Sequence, residues 1–70
     1  MFSIAKTPEN IKIFNTILNI SEAHGKIVNN IKLSQDKISF TIKDEDPFVI
    51  CEFLNSDQIW GFMGIIKRED

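Results

Sequence analysis

Residues 31–54 read IKLSQDKISFTIKDEDPFVICEFL, three runs separated by two polar breaks. In the middle run Ile38, Phe40 and Ile42 alternate with Ser39, Thr41 and Lys43, the period of two of a strand with one face on a core and one in water. Ser34, Gln35 and Asp36 read as a first turn. Asp44, Glu45, Asp46 and Pro47 read as a second, because Asp bonds its own backbone and Pro fixes φ. The third run, residues 48–54, is apolar on both faces, Val49, Cys51 and Phe53 on one and Phe48, Ile50 and Leu54 on the other beside Glu52. That pattern predicts an interior strand, or one covered by another molecule. The three runs together predict an antiparallel meander.

Upstream, Phe2 to Ala5 is a short apolar run suited to an opening strand. Thr7, Pro8 and Glu9 then mark a helix start: a hydroxyl cap, a proline whose missing N–H costs nothing there, and a carboxylate at the positive dipole end. At about 100° per residue, Ile11, Ile13, Phe14, Ile17, Leu18 and Ile20 fall on one half of the helix. Glu9, Lys12, Asn15, Thr16, Asn19 and Glu22 fall on the other, and His24-Gly25 marks the end. Downstream, Asn55, Ser56 and Asp57 read as a turn. Ile59, Trp60, Phe62, Met63, Ile65 and Ile66 then form a dense apolar tail broken by Gly61 and Gly64. So much apolar surface predicts a last strand or a contact with a partner or a second copy. The fold class expected is α+β: one unit over residues 1–70, strand, helix and three strands (βαβββ), with one amphipathic helix packed on an antiparallel sheet.

Composition narrows this further. With 43% hydrophobic and 26% charged residues the chain is globular in type, and 70 residues bury only about 60% of their unfolded surface, so self-association or a partner is expected to complete the core. A net charge of −2 gives no general attraction to phosphate or anionic lipid. Cys51 is the only cysteine, which excludes an internal disulfide and a thiolate cluster; within an apolar run it reads as a small buried hydrophobe. His24, the only histidine, suits the dipole of the helix C-terminus. Asp44, Glu45 and Asp46 do not match a calcium loop and read as a solvated turn, and Lys67 and Arg68, followed by Glu69 and Asp70, as a mixed, solubilising end. No run approaches the ~20 apolar residues of a membrane span, and no basic region followed by an apolar run opens the chain. The expectation is an intracellular protein, cytoplasmic or nuclear, with no catalytic residues, no metal, no cofactor and no membrane partner.

The order strand, helix and three antiparallel strands resembles the building unit of DNA sliding clamps. Met1-Phe2-Ser3-Ile4 looks like the first strand of the proliferating cell nuclear antigen family. Ile31-Lys32-Leu33-Ser34, followed by Ile38-Ser39-Phe40, resembles the clamp's second and third strands, and Asp44 falls where the family places an aspartate. Residues 48–53 look like its fourth strand, and Ser34-Gln35-Asp36-Lys37-Ile38 also resembles the checkpoint clamps. The resemblance implies half of a clamp domain. In function it implies a non-catalytic tether, or processivity factor, on duplex DNA in replication or repair, with replication or repair proteins as partners. Clamp helices line the DNA channel, so the implied DNA-facing residues are Lys12, Asn15, Thr16 and Asn19, with Lys6 nearby.

The family crowds that face with Lys and Arg, whereas this helix carries one lysine between Glu9 and Glu22. A second reading therefore stands beside the first: a small interaction module or inhibitor that docks by its strand edge and its apolar tail. In both readings Ile59, Trp60, Phe62, Met63, Ile65 and Ile66 are the expected oligomer or partner interface.

Overall fold

The computed structural model describes residues 1–69. Strand β1 (Phe2–Ala5), helix α1 (Pro8–Ala23), strands β2 (Val28–Leu33) and β3 (Lys37–Ile42), helix α2 (Ser56–Ile65) and strand β4 (Lys67–Arg68) follow in that order. The strands form one antiparallel sheet, ordered β2-β3-β1-β4. The expected class holds: α+β, with a strand, an amphipathic helix, and three further antiparallel strands in one sheet under that helix.

Local chemistry accounts for α1. The Thr7 side chain accepts from the Asn10 N–H at 3.2 Å, and Pro8 opens the helix. At the other end Gly25 takes φ +88°, the left-handed conformation that glycine tolerates. All six residues predicted on the polar face are exposed, while Phe14 and Ile17 are buried and Ile11, Ile13, Leu18 and Ile20 pack against the core.

In β3 the predicted alternation is realised, with Ile38, Phe40 and Ile42 buried. Phe40 is the hub: its ring centre lies 5.0 Å from Phe14 of α1 and 6.4 Å from both Phe2 of β1 and Phe62 of α2. Both helices therefore cover the Phe40 face of the sheet. On β2, Asn30 and Ile31 oppose the single residue Phe40 between the pairs Asn29↔Thr41 and Lys32↔Ser39, a β-bulge, with Asn30 at φ +54°.

Residues 48–54 correct the expected meander. They form short 3-10 turns at Pro47–Val49 and Cys51–Phe53, not a strand. The reason is topological: β1 occupies the edge of β3 that a third meander strand needs, pairing Phe2 with Phe40 and Ile4 with Ile38. Asp44 and Glu45, at φ +61° and +53°, turn the chain out of the sheet, and the Asp46 carboxylate accepts from the Phe48 N–H at 2.9 Å. Ile50 still reaches the core, while Phe48 stays exposed.

The apolar tail is likewise a helix, not a strand. Asn55 and Gln58 form a capping box: the Asn55 side chain accepts from the Gln58 N–H at 2.8 Å, and the Gln58 side chain from the Asn55 N–H at 2.9 Å. The last strand lies beyond this helix, where β4 pairs with β1 through Phe2↔Arg68 and Ser3↔Lys67. Lys67 and Arg68, read as a solubilising end, thus belong to the sheet, and the Arg68 guanidinium lies 5.0 Å from the Phe2 ring centre.

Two polar contacts escape the hydrophobic pattern. The Ser21 hydroxyl, 1% exposed, accepts from the Val28 N–H at 2.8 Å and joins the end of α1 to the start of β2. Ser21→Ala orphans that buried N–H, and is expected to cost about 1–3 kcal/mol in urea unfolding. At the other edge the Glu69 carboxylate accepts from the Ser3 hydroxyl at 2.6 Å and the Lys37 ammonium at 3.2 Å. The hydrogen bond from Ser3, then the hydrogen bond and charge of Lys37, hold its pKa below the usual 4.5. A carboxylate depressed on folding stabilises above its unfolded pKa and loses that contribution as pH falls through the folded value. Stability of the chain is therefore expected to decline on acidification from pH 4.5, and Glu69→Gln to flatten that part of the pH profile, as read by thermal unfolding.

Candidate functional site

The most distinctive surface lies on the outer side of α2. Trp60 is 79% exposed although it sits in the middle of a capped helix, whereas Phe62, two residues on, is 0% exposed. A helix places residues i and i+2 about 200° apart, so the same packing that buries Phe62 against Phe40 turns Trp60 outward. Next to Trp60, Gly61 borders a cleft of about 240 Å³ between the two helices, with Ile13, Ile17 and Thr16 on the α1 side and Asp57 and Gln58 on the α2 side. Its lining is almost wholly apolar, with polar groups from Thr16, Asp57 and Gln58. It can take one apolar or aromatic side chain.

The six residues expected at an interface divide three ways. Trp60 is free. Phe62 belongs to the core, which corrects its assignment to a surface. Ile59, Met63, Ile65 and Ile66 are half-buried, the last three packed against the core. In place of a continuous apolar face, the structure offers one indole beside a cleft.

Of the residues implied to face DNA, Lys12, Asn15, Thr16 and Asn19 lie exposed along the outer face of α1, and Thr16 also reaches the cleft. Lys6 is exposed but lies off that helix, its ammonium donating to the Ser34 carbonyl at 3.2 Å. Lys12 shares its face with exposed Glu9 and Glu22. Lysines are denser on the helix-free side of the sheet: the pairings Lys67↔Ser3, Ser3↔Ser39 and Ser39↔Lys32 align these residues in one row across four strands. No periodicity along the chain shows this row, since only the strand pairing creates it.

The sheet edges are short or irregular. The β2 edge is interrupted by its bulge and carries Lys32, and β4 is two residues long. Cys51 is half-buried; burial, then the charge of Asp46, pushes its thiol pKa up, the opposite of what a nucleophile needs. His24 lies flat on Phe53, ring centres 3.8 Å apart, an aromatic contact that pins the Cys51–Phe53 turn to the end of α1. Among the described residues no three His, Cys, Asp or Glu side chains converge to hold a metal ion, and no helix is long and apolar enough to cross a membrane. Compared with known protein families, characterised proteins and solved structures, the chain matches none.

Proposed function

We propose that this chain is a small non-catalytic interaction module or inhibitor, working in a reducing, intracellular setting, that meets a protein partner through the outer face of α2. The observation that carries this reading is Trp60, almost fully exposed on an ordered helix beside an apolar cleft. Tryptophan is the residue type most enriched at binding hot spots, because a rigid indole buries much area at little entropic cost. The blunted sheet edges favour a helix-face contact over strand addition. The reading is tested by placing a photo-cross-linking amino acid at Asp57 on the cleft rim, with Lys12 on α1 as control, and irradiating in the natural source. Protein adducts at position 57 and not at position 12 are expected. Adducts at position 12 alone count against it.

A clamp-like tether on DNA is the second reading, favoured by the order of β1, α1, β2 and β3 and by the fully exposed polar face of α1. It requires binding to duplex DNA that weakens with salt and is weakened by Lys12→Glu. Fluorescence anisotropy with a labelled duplex at two salt concentrations tests it, and absence of salt-sensitive binding removes it. Lys32→Glu in the same assay distinguishes the sheet face from the helix face.

A further inference from the structure

We infer that the partner which fits the α2 face is a second copy of this chain, in a two-fold dimer where Trp60 of each copy enters the α1–α2 cleft of the other. This deepens the interaction-module reading and rests on it.

Three observations converge. First, knob and hole lie on one surface: Trp60 protrudes and the adjacent Gly61 borders the cleft. A two-fold interface needs such a self-complementary patch, since residue i must contact j while j contacts i. Second, the chemistry matches. An indole brings a large apolar body, and the cleft that would receive it is almost wholly apolar, with Ile13 and Ile17 in its wall. Third, α2 carries two glycines that the chain's own packing does not require. A Cβ at Gly64 meets nothing within 4 Å, and one at Gly61 meets only the Ile13 Cδ1 at 3.7 Å, an ordinary contact. Glycine within a helix is destabilising relative to alanine. Their use beside an exposed tryptophan is explained if the partner's backbone comes close there.

A specific interface takes about 800 Å² per partner, roughly a sixth of the 4599 Å² of this chain. Two buried tryptophans and the cleft walls they touch supply the centre of such a patch.

The test is sedimentation velocity of the whole chain over a wide concentration range, with two variants. Trp60→Ser removes the knob. Gly61→Leu fills the hole from within, and if it fails to fold, Thr16→Arg blocks the same cleft from the exposed face of α1. The unaltered chain is expected to dimerise, and each variant alone to do so at least about tenfold more weakly. An equimolar mixture should recover association, because a heterodimer has one intact Trp60 facing one intact cleft. A chain that stays monomeric throughout, a dimer unaffected by Trp60→Ser, or a mixture that recovers nothing overturns the inference. A monomer that still yields protein adducts at position 57 overturns the dimer and leaves the module reading standing.

Discussion

Phe40→Ala is expected to remove a third or more of the stability of the fold. Phe40 is fully buried and its ring contacts aromatic side chains from β1, α1 and α2, so the cavity opens where both helices meet the sheet. Phenylalanine-to-alanine changes in cores cost about 3–5 kcal/mol. Seventy residues at 0.05–0.15 kcal/mol each give a total stability of roughly 4–10 kcal/mol. The loss is therefore a third or more of the whole. Urea unfolding followed by circular dichroism should show the midpoint lowered by a third or more, or no transition, while Ile38→Val in the same strand should cost only about 0.5–1.5 kcal/mol. A Phe40→Ala chain with a nearly normal midpoint would place the core elsewhere.

Phe62→Ser and Trp60→Ser are expected to part company. Phe62 is sealed under α2, so serine there removes a buried aromatic and adds a hydroxyl to an apolar site; the expected cost is about 3–5 kcal/mol or more. At Trp60 the side chain is already in water, and a surface change of this kind stays within about 0.5 kcal/mol. Loss of a partner by Phe62→Ser would then reflect unfolding, whereas loss of a partner by Trp60→Ser with an unchanged melting curve reports recognition. Equal destabilisation by both substitutions would mean that residues 56–65 are not the helix described.

The same pair explains what could be read along the chain and what could not. Period two puts Trp60 and Phe62 on one face; period 3.6 puts them on opposite faces. Taken as an undivided apolar tail, residues 59–66 made one interface of side chains that the helix divides between core and solvent. The helix signal was present in Asn55 and Gln58, whose spacing is that of a capping box, but Gly61 and Gly64 interrupted the pattern that should have followed. By contrast β1, α1 and β3 were legible because each has a clean period and, for α1, a strong cap. Residues 48–54 were not. A short run apolar on both faces fits a buried strand or packed turns equally well, and only the pairing of β1 with β3 decides between them. Strand pairing also created the row Lys67-Ser3-Ser39-Lys32 and the Glu69 contacts, both of which join residues far apart in sequence.

Trp60 is the only tryptophan, so indole fluorescence reads the candidate surface without a label. The account predicts that the dilute, folded chain emits as a solvent-exposed indole and is quenched by acrylamide almost as readily as free tryptophan. On association, with a second copy or with a protein captured by cross-linking at position 57, the emission should shift to shorter wavelength and quenching should fall. A shielded indole in the dilute folded chain, or an exposed one that stays equally quenchable in the complex, would contradict the claim that Trp60 is the recognition residue.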